Sequence, residues 1–274
     1  MKLEISDIQK ADMFTQIFQN IKLFTTSVCL TFENERLYVQ GMDGNHVSIF
    51  EFNLVKEWFN LYEINVPTTI GINTSIFYKI LNTRGTDHTI VLALDEDQQD
   101  KMSIDFVCKD KGEFNKEFHM PLMELDVEHM GIPETEYDLE FTINSKKMKS
   151  IVDELSHFGD TIKISYENET DSVYFSAETE AEGAMKLKAG IEDFDSCTVD
   201  DEANINSSYA TRFIQFMTQF HKINKTCTLY IQSDIPLQFK YMLDIEDLNE
   251  ERELDKQNYA RFFLAPKIGD DEEQ

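Results

Sequence analysis

Residues 122–137, near the middle of the 274-residue chain, read Leu-Met-Glu-Leu-Asp-Val-Glu-His-Met-Gly-Ile-Pro-Glu-Thr-Glu-Tyr. The stretch is acidic and is broken by Gly131 and Pro133, which disfavours both a buried strand and a regular helix. It nevertheless carries more apolar side chains than an idle linker would, namely Leu122, Met123, Leu125, Val127, Met130 and Ile132. This combination predicts an extended connector between two halves, with an apolar face that serves as a docking surface.

The end of the chain is a second informative stretch and reads Phe263-Leu-Ala-Pro-Lys-Ile-Gly-Asp-Asp-Glu-Glu-Gln. Together, the two stretches closely resemble the interdomain connecting loop and the C-terminal strand and acidic tail of the proliferating cell nuclear antigen family of sliding clamps. Three further segments resemble clamp segments in the family's order: Gly41-Met-Asp-Gly-Asn-His-Val-Ser-Ile, Ile72-Asn-Thr-Ser-Ile-Phe-Tyr-Lys-Ile-Leu and Asp153-Glu-Leu-Ser-His-Phe-Gly-Asp. Five separated matches make chance a poor explanation.

The resemblance implies an α+β protein with the DNA clamp fold. The expected parts are an N-terminal clamp domain (1–120), a connecting loop (121–136) and a C-terminal clamp domain with an acidic tail (137–274). The two domains should share one topology, with antiparallel sheets outside and four helices on one face, in a chain that forms rings.

Hydrophobic periodicity gives an independent prediction of the same organisation. Apolar residues recur at helical spacing in 6–22, 74–84, 145–158 and 208–222, with Asn144 or Ser145 as the N-cap of the third stretch. Short strands are predicted between them at 28–32, 37–40, 88–94, 102–108, 161–166, 172–177, 226–232 and 237–243. The order helix, strand, turn, strand at 13–42 recurs at 148–179, which predicts two copies of one β-rich domain.

Charge is unevenly distributed along the chain. The net charge of −27 argues against nucleic-acid binding by the protein as a whole. The four helical stretches, however, hold nine basic residues and only four acidic ones. If these helices face the same way, a mildly basic face that tolerates DNA lies on an acidic protein. The alternative is that the lysines only solvate exposed helix faces.

The resemblance implies a partner-peptide groove beneath the connecting loop, in which flexible Met side chains would accept several apolar anchors. An ordinary hydrophobic core is the alternative reading of the same residues. Main-chain hydrogen bonds from the segment 264–268 are expected to add to peptide binding. The implied lining residues are Met42, His46, Val47, Met130, Ile132, Pro236, Phe263, Ala265, Pro266 and Ile268.

DNA-facing and subunit-contact residues are also implied by the resemblance. The DNA-facing set is Lys22, Lys79, Arg84, Lys149, His157 and Arg212. Asn82, Asp153 and Gln219 occupy positions where the family usually has a basic residue, which predicts weaker phosphate attraction. For ring closure, the strand 113–120, with Phe114 and Phe118, should pair with 181–188 of a neighbour, with Gly183 and Met185 at the contact.

Motifs for other classes of protein are missing. No apolar region follows Met1-Lys2, and no run of 18 apolar residues occurs, so neither secretion nor a membrane span is predicted. Cys29, Cys108, Cys197 and Cys227 are widely spaced and predict reduced thiols. The acidic stretch 95–100 lacks the glycine and closing glutamate of a calcium loop. The sequence contains no recognised catalytic motif. We therefore expect a protein that is not an enzyme and that holds no metal or cofactor.

The sequence therefore predicts a processivity factor that encircles duplex DNA as a homotrimer, without sequence specificity. Polymerase, clamp loader, flap endonuclease and DNA ligase would dock through short motifs, in the nucleus or at a viral replication site. The alternatives are a monomeric or dimeric clamp-like factor that grips DNA, a subunit of a checkpoint-type heterotrimer, an acidic scaffold without DNA function, and an enzyme. The weakened basic set and the long acidic stretch 244–258 indicate a divergent clamp.

Overall fold

The computed structural model describes residues 1–95, 100–108, 114–126, 130–244 and 253–267. The chain divides into two compact units. Unit 1 comprises Met1–Gly44, Glu51–Met130 and Met242–Ala260, and unit 2 comprises Asn45–Phe50, Gly131–Tyr241 and Arg261–Gln274.

One order of elements occurs twice: a strand, an α-helix, five strands, a second α-helix and three strands. The first copy is β1 (Lys2–Ile5), α1 (Ile8–Ile21), β2 (Ser27–Phe32), β3 (Arg36–Met42), β4 (Ser48–Val55), β5 (Leu61–Glu63), β6 (Thr68–Asn73), α2 (Thr74–Leu81), β7 (His88–Ala93), β8 (Lys101–Cys108) and β9 (Lys116–Pro121). The second is β10 (Leu139–Asn144), α3 (Ser145–Leu155), β11 (Thr161–Glu167), β12 (Ser172–Thr179), β13 (Gly183–Gly190), β14 (Ser196–Val199), β15 (Asn206–Ala210), α4 (Thr211–Thr218), β16 (Thr226–Ile231), β17 (Leu237–Met242) and β18 (Tyr259–Leu264).

Strand pairing follows the same repeat. In unit 1, β1 pairs with β5 and β7, while β2 pairs with β3 and β6. In unit 2, β10 pairs with β14 and β16, while β11 pairs with β12 and β15. All of these pairs are antiparallel. The predicted α+β class, with two topologically similar domains and four α-helices in the described residues, is confirmed.

Helices α1, α2 and α3 begin at side-chain caps, whereas α4 follows Ala210, which makes no side-chain cap bond. The Asp7 carboxylate accepts from the Lys10 amide at 2.9 Å, and Asn73 Oδ1 accepts from the Ile76 amide at 2.9 Å. Asn144, one of the two residues expected as a cap, accepts from the amides of Lys146 and Lys147. Each cap satisfies amide groups that the first helical turn leaves without an intrahelical partner.

Each unit has its own aromatic core. In unit 1, Phe18 lies 5.0 Å from Phe14 and 4.6 Å from Phe77, measured between ring centroids, so α1 and α2 share one cluster. In unit 2, Phe220 lies 4.6 Å from Phe262. These rings are fully or almost fully buried, and large aromatic side chains contribute most per residue to a core.

The fourth helical stretch is shorter than its periodicity indicates. Residues 208–210 belong to β15, α4 ends at Thr218, and residues 219–222 form a 3-10 helix. Phe213, Met217 and Phe220 are buried. Their 3-4 spacing continues from the α-helix into the tighter 3-10 turn, so the sequence pattern does not mark the change.

The stretch 244–258 is described only at its two ends, and residues 245–252 lie outside the described residues. The Leu243 amide donates to the Asn258 carbonyl at 2.8 Å, and the Asn258 side chain donates to Asp244 at 2.6 Å. Buried Asn53 donates to the Gln257 carbonyl at 2.7 Å. These bonds fix both ends of the acidic stretch within unit 1.

Candidate functional site

The first half of the connector is attached to β6. The Met123 amide donates to the Gly71 carbonyl at 2.8 Å, which forms an isolated antiparallel bridge. A Cβ at position 71 would lie 2.4 Å from the Met123 carbonyl oxygen and 2.8 Å from Leu125 Cγ. Only glycine permits so close an approach, so Gly71 determines where the connector lies on unit 1.

The second half of the connector is held by a side chain of β3. Gln40 Nε2 donates to the Met130 carbonyl at 2.9 Å, and Gln40 Oε1 accepts from the Met130 amide at 2.8 Å. This pair of bonds satisfies both backbone groups of Met130 and leaves its side chain half-buried. Met42, on the same strand, is also half-buried. Gln40 fixes the backbone of an expected groove residue, and the sequence does not indicate this, because nothing near Gln40 in the sequence shows a contact 90 residues away.

The remaining described residues of the expected groove belong to unit 2. Phe263 is buried at 8% exposure, and the Arg261 guanidinium carbon lies 5.4 Å from the centre of its ring. Val47 is 37% exposed, Ile132 and Pro266 are half-buried, and His46, Pro236 and Ala265 are exposed. Ile268 lies outside the described residues.

The segment that follows β18 uses its amide groups within the chain. The Ala265 amide donates to the Val47 carbonyl at 3.0 Å, and the Lys267 amide donates to the Ser208 carbonyl at 2.7 Å. Pro266, between them, has no amide hydrogen. Main-chain pairing with a partner would therefore have to use carbonyl oxygens of residues 265–267 as acceptors. The Lys267 ammonium adds an ion pair with Asp160 at 3.5 Å.

The predicted DNA-facing side chains differ in exposure. Lys79, His157 and Arg212 are exposed. Lys22 is half-buried, with its ammonium 4.0 Å from the centre of the Tyr78 ring, and Lys149 is half-buried in an ion pair with Asp153, one turn along α3. Lys22 and Lys149 are thus partly covered or neutralised. Arg212 is exposed, although its guanidinium carbon lies 5.3 Å from the centre of the Phe216 ring.

One strand at the end of a sheet in each unit carries the predicted subunit-contact residues. In unit 1, β9 is the last strand of the sheet β5-β1-β7-β8-β9, and in unit 2, β13 is the first strand of the sheet β13-β12-β11-β15. Phe114, just before β9, is 87% exposed, and the half-buried Phe118 lies 5.6 Å from Phe106. On β13, Gly183 is exposed and Met185 is half-buried. Both strands therefore offer one backbone edge for pairing with another chain.

The sequence matches the family model for the N-terminal domain of proliferating cell nuclear antigen over residues 3–129, and the model for its C-terminal domain over residues 131–266. The chain belongs to the proliferating cell nuclear antigen family. It is similar to "Proliferating cell nuclear antigen 1" from two isolates of Plasmodium falciparum, K1/Thailand and 3D7. Each is 26% identical over 271 residues, which cover 96% of both chains.

Membership of the family identifies the protein as a sliding clamp and processivity factor of DNA replication and repair. Proliferating cell nuclear antigen clamps bind DNA and replication partners and form ring oligomers. At 26% identity to these relatives, this chain is a divergent member.

Arg84 does not fit the DNA-facing set expected for a family member. Its side chain is only 6% exposed and forms an ion pair with Asp12 of α1. Its Nη1 donates to the carbonyl oxygens of Gly85 at 3.1 Å and Thr86 at 2.9 Å. A guanidinium that is buried and bonded in this way is not available to phosphates, so we remove Arg84 from the set. The sequence does not reveal this, because Asp12 lies 72 residues away.

Basic side chains surround His221 in unit 2. Burial, together with the charges of Lys149, Lys222 and Lys146, lowers the pKa of His221 below its ordinary value. Lys146 and Lys222 are exposed, and His221 Nδ1 donates to the Thr218 carbonyl oxygen at 3.0 Å. The sequence signal for this cluster is the run of lysines at 146, 147 and 149, of which only Lys149 belongs to the set that the resemblance implies.

The described residues also bear on other kinds of site. No group of three His, Cys, Asp or Glu side chains that could hold a metal ion occurs among these residues. No described helix is long and apolar enough to cross a membrane. Cys29, Cys108, Cys197 and Cys227 are free thiols, and burial raises the pKa of Cys227 to about 12. That thiol is therefore protonated and unreactive at neutral pH.

Proposed function

We propose that the protein is a homotrimeric sliding clamp that encircles duplex DNA and tethers replication and repair enzymes to it. The observation that carries the proposal is the match to both clamp domains, in order, over residues 3–129 and 131–266. As in the expectation from the sequence, the two clamp domains are residues 1–120 and 137–274, joined by the loop 121–136. The protein acts as a scaffold, and the chemistry belongs to its partners.

Head-to-tail pairing of β9 with β13 of a neighbouring copy would close the ring. Two observations support it: each strand has an open edge, and Phe114 exposes an aromatic ring beside one of them. Because the two edges differ, the contact is heterologous and closes only when the rotation between copies completes a circle. Three copies are what the family implies.

Contact with DNA would be made by a few positive charges against backbone phosphates. Lys22, Lys79, Lys149, His157 and Arg212 form the proposed set, and Lys146, His221 and Lys222 extend it. The rest of the protein is strongly acidic, which keeps DNA off its other surfaces. Such contacts carry no sequence information, and the small number of charges predicts a shallow dependence of affinity on salt.

Charge reversal at Lys79 and Arg212 is expected to impair loading. The variant Lys79→Glu/Arg212→Glu should load onto primed circular DNA at least about tenfold less, because two phosphate contacts become repulsions. Peptide docking should remain unchanged. The matched control is Lys163→Glu, which reverses an exposed charge on β11, outside the helices. Equal loading of the double variant and the control, measured with labelled clamp, would exclude both residues from the DNA-facing surface.

Acidification is expected to strengthen DNA binding through His221. As the pH falls through the lowered pKa of His221, the ring gains a charge beside Lys146, Lys149 and Lys222. Affinity should rise by about threefold, the order expected from one added phosphate contact. Fluorescence anisotropy with a short duplex, at neutral and mildly acidic pH, measures the change. The variant His221→Gln should lose it, and an identical pH dependence in that variant would contradict the assignment.

The same lowered pKa has a separate effect on folding, with a defined sign. Between the lowered pKa and the ordinary one, the unfolded chain binds more protons than the folded chain. The contribution of His221 to stability is therefore present above the ordinary value and is lost as the pH falls through the lowered one. DNA binding and stability should respond to acid in opposite directions, so thermal unfolding of the free protein separates the two effects.

Partner enzymes would dock through short motifs with aromatic and aliphatic anchors. The proposed contact residues are Met42, His46, Val47, Met130, Ile132, Pro236, Phe263, Ala265, Pro266 and Ile268. Gln40 supports the function by fixing the backbone of Met130. The expected partners are polymerase, flap endonuclease and ligase, together with a clamp loader that binds the ATP, in the nucleus or at a viral replication site.

The experiment that tests the function is primer extension on a singly primed circular template. With clamp loader and ATP, the protein should raise the length of product made per polymerase binding event. A scaffold without DNA function would bind partner peptides and leave product length unchanged. That result would contradict the proposal.

A further inference from the structure

The turn after α2, residues 83–88 in unit 1, makes polar contacts with α1 and with the start of β9. Arg84 connects it to α1 through Asp12, and Arg84 Nη1 also donates to the His88 carbonyl at 3.4 Å. The Thr83 carbonyl accepts from the ammonium of Lys116 at the start of β9. The turn thus touches both the helical layer and the segment that leads into the edge strand β9.

His88 makes the central contact of this turn. Its side chain is buried at 3% exposure. Nδ1 accepts from the Gly85 amide at 3.1 Å, and Nε2 lies 3.0 Å from the Phe114 carbonyl oxygen. Because Nδ1 is an acceptor, the proton of the neutral ring is on Nε2, and His88 donates to Phe114. A buried ring with both nitrogens bonded has one orientation.

Phe114 is held by its backbone, whereas its side chain is left open. The Asn115 side chain accepts from the Cys108 amide at 2.9 Å, so the chain is fixed at Phe114 itself and at the residue that follows it. Its ring is nevertheless 87% exposed, the highest value among the exposed large hydrophobic side chains of the described residues. Holding an exposed aromatic residue in place costs conformational entropy in the free chain and lowers the entropy cost of a later contact.

We propose that the turn 83–88 is a positioning element for the subunit contact, in which His88 sets the place of Phe114 at the edge of β9. The inference rests on the proposed ring. It assigns to Arg84 and His88 a role in assembly through Phe114, without contact to DNA or to the neighbouring copy. Pre-organisation of this kind strengthens an interface without adding a contact to it.

The test measures ring dissociation on dilution by sedimentation velocity, with wild type and three variants. His88→Ala removes both ring bonds and should raise the dissociation constant by about tenfold. His88→Gln keeps a neutral donor and acceptor and should stay within about threefold of wild type. Tyr241→Phe is the control, because it removes a buried hydrogen bond to the Met217 carbonyl in unit 2 and should lower thermal stability without changing the dissociation constant.

A fourth variant covers the case in which His88→Ala does not fold. Lys116→Met roughly keeps the length of the side chain, removes the charged donor to Thr83, and should weaken the ring by about fivefold. A wild-type dissociation constant in Lys116→Met, when His88→Ala does not fold, would overturn the inference. If His88→Ala folds and forms a trimer as stable as wild type, the inference is overturned, whereas the proposed ring is supported. A wild-type protein that is monomeric at every concentration would overturn the ring and the inference together.

Discussion

Replacing Phe114 and Phe118 together by alanine is expected to leave the protein as a monomer of 32.0 kDa, at concentrations where the wild-type protein has about three times that mass. Phe114 is almost fully exposed, and Phe118 is half-buried on the edge strand β9. Aromatic residues at the centre of an interface typically contribute about 2 kcal/mol or more each when truncated. Each closed ring would lose these contributions at every subunit contact. Light scattering over a range of concentrations measures the mass.

The control for this variant is Val66→Ala, which shortens another exposed hydrophobic side chain of unit 1, 68% exposed and outside β9. It should leave the mass unchanged. Circular dichroism should show that the double variant remains folded, since Phe114 is almost fully exposed and Phe118 is only half-buried. A double variant that keeps the wild-type mass on dilution would show that β9 is not the subunit contact.

Replacing either Phe263 or Met130 by alanine is expected to lower affinity for partner-motif peptides by about tenfold to a hundredfold, as truncation of an interface hot spot does. Phe263 is an aromatic residue near the end of β18. The backbone of Met130 is fixed by two hydrogen bonds with the Gln40 side chain. A flexible thioether adapts to several anchors, so its loss should affect more than one peptide. Isothermal titration with a peptide that carries aromatic and aliphatic anchors measures the change.

Ile191→Ala is the matched control for peptide binding, because Ile191 is 37% exposed in unit 2 and belongs to none of the proposed contacts. It should bind the peptide with wild-type affinity. Both docking variants should keep the mass of the wild-type assembly, which separates loss of docking from loss of the ring. Unchanged peptide affinity in both would mean that the partner site lies elsewhere.

Much of the fold is predictable from the sequence, because the signals for it are local. The buried residues Phe14, Ile17, Phe18 and Ile21 show the helical spacing of α1, and Asn144 marks the start of α3. Strand β4 gives no such signal, since nearly all its residues are buried and its sequence does not alternate. Its buried Glu51 and Asn53 are stabilised by partners that are distant in the sequence.

The candidate sites are less predictable from the sequence, because their geometry depends on contacts between residues that are distant in the sequence. Arg84 and Lys79 are both basic residues near the end of one helix, yet one is buried against Asp12 and the other is exposed. Gln40 and His88 fix Met130 and Phe114 through bonds that span 90 and 26 residues. Residue type and the resemblance indicate the surfaces, whereas the direction of each side chain depends on tertiary contacts.

The most direct measurement of encirclement is retention on DNA whose topology is changed after loading. The protein is loaded with clamp loader and ATP on a nicked circular DNA, freed of loader, and followed while a restriction enzyme cuts the circle. A closed ring should remain on the circle and leave rapidly from the linear ends, although its contacts with phosphates are unchanged. Equal retention on circular and linear DNA would contradict encirclement and would favour a factor that grips the duplex directly.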